Sequence, residues 1–96
     1  MTNYAVGARL ERLIKAQLER QGYTVMRSAG SKGKFDLCAW SGLEMRLIQA
    51  KARKITRAER EAMRLIMVPP CASVEIWERD DFGGWNVEVV KERVMG

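Results

Sequence analysis

Residues 35–52 read FDLCAWSGLEMRLIQAKA, and this stretch decides the fold. Phe35 to Trp40 and Glu44 to Lys51 are apolar, strand-forming runs, and Ser41-Gly42 between them is a turn signal. The pattern predicts a hairpin. Side chains alternate faces along a strand, so Gln49 and Lys51 point the same way. Asp36 is separated from Gln49 by 12 residues, and the hairpin brings its carboxylate up beside them. An acid, a second oxygen ligand and a lysine on one sheet are the parts of a hydrolytic magnesium site for phosphodiesters.

Working outward, Val6, Leu10, Leu13, Ile14 and Leu18 recur at helical spacing within residues 4–21, and Gly22 ends that helix. Tyr23 to Ser28 is a β-prone run, and AGSKGK at 29–34 is a glycine- and lysine-rich loop. After the hairpin, Thr56-Arg57-Ala58-Glu59 is a capping-box signature for a second helix, which Pro69-Pro70 stops. Ser73 to Glu78 and Trp85 to Val90 are two further strands, with Gly83-Gly84 suited to the turn between them. The order is αβββαββ. One mixed sheet flanked by helices, a single domain over residues 1–96, is the compact α/β solution.

The 17 Lys+Arg against 12 Asp+Glu give a net charge of +5, which favours a polyanionic partner. The clustering of basic residues around Asp36 strengthens that reading. No apolar run approaches the roughly 18 residues of a membrane span, and the N-terminus carries no signal-peptide pattern. Cys38 and Cys71 lie far apart in a chain without histidine, so they form neither a zinc site nor a disulfide framework. Both read as reduced core residues of a cytosolic protein.

The stretches GARLERLIKAQLERQGYTVMRSAGS, FDLCAW and LIQAKA, in this order, resemble the PD-(D/E)XK nuclease superfamily. Within it the chain looks most like the archaeal-type Holliday junction resolvases, as a phage-like variant with Q-x-K. The resemblance runs from about Gly7 to the second helix. It implies a restriction-endonuclease-like fold, a Mg²⁺-dependent endodeoxyribonuclease for which Mn²⁺ can substitute, four-way DNA junctions as substrate, and a homodimer. A four-way junction has two-fold character, so two paired sites suit it. The implied setting is the cytoplasm of a prokaryote or of a phage-infected host.

Asp36 matches the family's metal-binding aspartate. A charged residue inside FDLCAW needs a cation or donor partner, which a surface turn aspartate does not. Lys51 matches the family lysine, which orients or activates the attacking water or stabilises charge at the phosphate. It would otherwise be one more surface lysine beside Arg53 and Lys54. Gln49 departs from the usual glutamate. Its carbonyl oxygen can still ligate a hard cation, but it brings no charge, so metal affinity should fall. Glu11 matches the glutamate of the family's first helix. It lies at the edge of the Leu10–Ile14 stripe and can face the sheet, or else pair with Lys15 on the helix surface.

Ser31 matches a loop serine near the resolvase active centre. Its loop offers N–H groups, a hydroxyl, Lys32 and Lys34 to a phosphate. With Arg27, Arg53 and Lys54 these make a basic DNA-binding surface around the metal site. Trp77 and Trp85 read as structural. The apolar run of Met63, Leu65, Ile66, Met67 and Val68 reads as a helix face that covers the sheet and can supply a dimer contact. Two other functions compete with the resolvase: another small nuclease of the superfamily acting on branched or duplex DNA, and a non-catalytic DNA-binding module. Gln49 is the main support for the latter. The retention of Glu11, Asp36 and Lys51 counts against it.

Overall fold

The computed structural model describes residues 3–28 and 35–94. The elements run α1 (Asn3–Arg20), β1 (Thr24–Arg27), β2 (Leu37–Ser41), β3 (Glu44–Lys51), α2 (Arg57–Arg64), β4 (Ala72–Arg79) and β5 (Trp85–Lys91). This is the expected αβββαββ order. The strands lie side by side in sequence order, antiparallel except for the parallel pair β3 and β4. Only that pair needs a crossover, and α2 lies within it.

Local chemistry sets the element ends. Gly22 has φ +96°, while the Tyr23 N–H donates to Leu18 O and the Gly22 N–H to Glu19 O. That is a Schellman stop, in which the left-handed residue is nearly free of strain only as glycine. Gly42, at φ +57°, turns the β2–β3 hairpin with Ser41 opposite Glu44. At the β4–β5 turn Asp80 accepts from the Phe82 and Gly84 N–H groups.

Each face of the sheet has its own core. Ile14 and Leu18 of α1 pack on Val25, Leu37, Ala39, Ile48 and Trp77. Ile55 and Met63 pack on Val74, Ile76 and Val90 from the other side, with Phe35 and Val68 at the margin. Trp77 and Trp85 meet edge to face, which confirms the structural reading of both.

The second helix is shorter than its apolar run suggests. It begins at the Thr56 cap, with both capping-box hydrogen bonds made, but it is capped at Leu65. Val68 precedes a proline and is disfavoured in helical conformation, so the helix closes before the Pro-Pro pair. Met63 is buried and Val68 packs, whereas Leu65 is 79% and Met67 92% exposed. The short helix also leaves part of its sheet face open. An apolar groove of about 480 Å³, lined by Cys38, Trp40, Leu43, Met45 and Cys71, remains there. Both cysteines are free, as expected, but they are half-buried on this open face rather than in a core.

On the α1 side of the sheet lies a largely buried ion pair with no counterpart in the sequence reading. Arg46 donates twice to Glu75, at 2.9 and 2.8 Å, and the Ser73 hydroxyl and Trp77 indole N–H complete the shell of that carboxylate. The guanidinium is also stacked over the Tyr23 and Trp77 rings.

Candidate active site

The end of β1, the start of β2 and the end of β3 meet at one edge of the sheet. Asp36 is built into that edge through its backbone. Its N–H donates to Ile48 O at 2.9 Å, and its carbonyl accepts from the Ser28 N–H at 2.8 Å. This fixes the side chain, whose Oδ2 accepts from the Ala50 N–H at 2.8 Å. Ala50 is the residue between Gln49 and Lys51. The expected approach of Asp36 to the Q-x-K segment is therefore present, as a hydrogen bond to the middle of that segment. Asp36 Oδ1 has no hydrogen bond to any described residue.

Glu11 reaches the same edge from α1. Burial pushes its carboxyl above the usual range, and the nearby Asp36 charge pushes in the same direction. Arg27 opposes both, donating to Glu11 Oε1 through Nε at 3.2 Å. Glu11 is thus a sheet-facing residue. The surface i,i+4 pair belongs instead to Lys15 and Glu19, at 2.9 Å. A partly buried Glu11 carboxyl raised by the neighbouring Asp36 charge is the kind of site that a divalent cation relieves. Among the described residues, no three His, Cys, Asp or Glu side chains cluster closely enough to hold a metal alone. Two carboxylates and the Gln49 carbonyl are oxygen donors of the kind a hard cation takes, but Glu11 comes from the α1 side and Gln49 faces the α2 side, and no hydrogen bond joins the Gln49 side chain to either carboxylate.

Gln49 and Lys51 point to the α2 side, because Ile48 and Ala50 between and beside them pack on the α1 side. Asp36 is common to both sides. It acts electrostatically on Glu11 and bonds the N–H next to Gln49. The Lys51 ammonium is held by Glu59 of α2 at 2.8 Å. Arg53 donates to the same carboxylate at 3.2 and 3.4 Å and to Lys54 O at 2.9 Å.

Of the basic residues expected to meet DNA, Arg27 and Arg53 are thus engaged in intramolecular pairs, while Lys54 is exposed. Ser31, Lys32 and Lys34 lie outside the described residues. Sequence reasoning took Thr56–Glu59 only as a helix start and so missed Glu59 as a neighbour of the site. The capping spacing was the one available signal, because it places a carboxylate in the first turn just after Lys51.

Comparison with known proteins bears on the fold and the family. No curated protein is matched significantly by sequence. The solved structure of Archaeoglobus fulgidus Hjc, described as a Holliday junction resolvase from an archaeal hyperthermophile, superposes with a TM-score of 0.71 at 24% identity. The match covers 88% of this chain and 72% of that one, and it shows a shared restriction-endonuclease-like fold. A model of the archaeal Holliday junction resolvase family matches residues 2–67, which span every element that contributes to the edge around Asp36. The chain belongs to the archaeal Holliday junction resolvase family, a class of DNA junction endonucleases.

Proposed function

We propose that this protein, as one nuclease domain over residues 1–96, resolves four-way DNA junctions by Mg²⁺-dependent hydrolysis, making paired cuts. The observation that carries the reading is the Asp36 carboxylate bonded at the backbone between Gln49 and Lys51, with Glu11 close enough to feel its charge. Nucleases of this fold generally depend on a divalent metal. Asp36, Glu11 and Gln49 are the residues that would hold it, Mg²⁺ first and Mn²⁺ as a substitute. A cation bound there supplies Lewis-acid polarisation of the phosphate and a more acidic water.

The chain's own groups do the rest. Asp36 is preset by three hydrogen bonds and needs no reorganisation to receive a cation. Lys51 brings a positive charge towards the place where the phosphate gains negative charge. Ser31, Lys32 and Lys34, with Arg27, Arg53 and Lys54, make the DNA-binding surface. On binding, Arg27 and Arg53 exchange a carboxylate partner for a phosphate.

The proposed assembly is a homodimer. Its support is exposed apolar surface, Leu65 and Met67 after α2 and the open groove lined by Trp40, Leu43 and Met45, which a second subunit would cover. Light scattering at micromolar concentration is expected to give twice the 11.0 kDa chain mass. A strict monomer, even with junction DNA, would favour a nuclease that makes single cuts in branched or duplex DNA. The proposed location is the cytoplasm. The described helices agree with that to the extent that none is long and apolar enough to cross a membrane.

Gln49 tests the metal assignment. Gln49→Glu keeps the geometry and adds a charge, so cleavage should survive with less Mg²⁺ needed for half-maximal rate. Gln49→Leu presents an apolar group to the cation and should lose about a hundredfold in rate, roughly 2.7 kcal/mol of stabilisation. A magnesium titration of both variants reads this directly. A Leu variant that cleaves like wild type at low millimolar Mg²⁺ removes Gln49 from the ligand set.

A further inference from the structure

Glu59 serves two sets of donors. It is the N3 residue of α2, and its Oε1 accepts from the Thr56 backbone N–H at 3.0 Å, closing the capping box. The same carboxylate accepts from Lys51 at 2.8 Å and from Arg53 at 3.2 and 3.4 Å. The Lys51 hydrogen bond, reinforced by the Thr56 N–H and Arg53, holds the Glu59 carboxyl well below the usual range. A first-turn anion is also favoured by the helix dipole.

The cap does not need the charge. Glutamine closes a capping box as glutamate does. An acid beside a DNA-binding surface also repels phosphate, so binding alone would favour the neutral residue. What the negative charge adds is its hold on cations. Lysine carries its ammonium on a flexible four-carbon stem. The neighbouring acid, Glu78, lies opposite Lys51 on β4, but its Oε2 accepts from the Ile55 N–H at 2.7 Å and it makes no hydrogen bond or ion pair with Lys51. Among the described residues, Glu59 is the partner that fixes the Lys51 ammonium.

We propose that Glu59 is a positioning residue for Lys51, strapping its ammonium to the first turn of α2 so that the helix rather than the stem sets its place. This rests on the reading of Lys51 as the lysine of the reaction, and it adds that α2 belongs to the machinery. Small displacements of a reacting group cost large factors in rate, about a hundredfold per ångström.

The test compares Glu59→Gln, Glu59→Asp and Lys51→Met with wild type. Melting temperature reports the cap, and junction affinity without metal reports DNA binding. Carbon relaxation of the Lys51 ε-methylene, also without metal, reports the strap. Single-turnover cleavage at saturating protein reports the reaction. Glu59→Gln is expected to keep its cap, to melt only slightly below wild type through the small dipole and ion-pair contributions of the lost charge, and to bind junction as tightly or more tightly. Its Lys51 should be more mobile and its cleavage about 10- to 100-fold slower. Glu59→Asp keeps the charge but withdraws it by one methylene, and should lose part of both the order and the rate. It carries the test if the Gln variant proves unstable. An unchanged Lys51 order and a wild-type or faster rate in the Glu59 variants, with Lys51→Met inactive, overturns the strap alone. Wild-type cleavage by Lys51→Met overturns the role of Lys51, and the strap with it.

Discussion

Asp36→Asn is expected to cut junction cleavage by about a thousandfold or more, roughly 4 kcal/mol of lost transition-state stabilisation. Junction binding should stay as tight as wild type or become tighter. The asparagine oxygen can still accept from the Ala50 N–H, and the backbone bonds to Ile48 and Ser28 are untouched, so the edge of the sheet keeps its shape. What disappears is a charge that draws a cation and repels phosphate. Removing it also takes away one of the two influences that raise the Glu11 carboxyl. Single-turnover cleavage and gel-shift binding, measured on the same preparation, separate these effects. Near-normal turnover would remove Asp36 from the site.

The second large effect is on stability. Glu75→Ala should destabilise the protein by about 3–5 kcal/mol, because it leaves the Arg46 guanidinium in place without its partner. The Glu75 side chain is only 4% exposed, and Arg46, Ser73 and Trp77 all donate to it. At roughly 4–8 °C per kcal/mol for a chain of this size, the melting temperature should fall by more than about 10 °C. Burial alone would raise the Glu75 carboxyl, but its hydrogen bonds from Arg46, Trp77 and Ser73 outweigh burial and hold it below the usual range. A depressed folded-state value means that the ionised carboxylate stabilises the fold above the ordinary glutamate range. That contribution is lost as pH falls through the folded-state value. In Arg46→Met burial is no longer offset by the guanidinium, so the stability at neutral pH should fall while the part of it that acid removes through Glu75 shrinks, as read by Trp fluorescence across a pH series. An unchanged melting temperature in Glu75→Ala would mean that the pair contributes little.

Much of this was legible in the chain because it is local. The Leu10, Ile14 and Leu18 spacing, the stop at Gly22, the turn at Gly42 and the Thr56 cap each depend on residues within a turn or two. Antiparallel pairing across a two-residue turn also fixes the β2–β3 register, which is why Asp36 could be placed beside Gln49. The Arg46–Glu75 pair could not be read this way. Its strands are parallel, so their register is set by packing of the crossover and not by any turn. Here Ile48 faces Glu75, which puts Glu75 one diagonal step from Arg46. The Lys51–Glu59 contact was hidden for a similar reason. It depends on the short loop after β3 folding the first turn of α2 back towards the strand end. The end of α2 was misjudged because Leu65 to Val68 is apolar enough to continue a helix. The backbone closes it at Leu65 instead, and Leu65 and Met67 stay exposed.

The proposed function requires that the edge holding Asp36, Gln49 and Lys51 cuts branched DNA. Wild-type protein incubated with a synthetic four-way junction and a sequence-matched duplex, each with and without Mg²⁺, measures it directly. The predicted result is a pair of symmetry-related nicks in opposed strands of the junction, dependent on Mg²⁺ and absent from the duplex. Binding of the junction without cutting in Mg²⁺ or Mn²⁺, or equal cutting of the duplex, would contradict it.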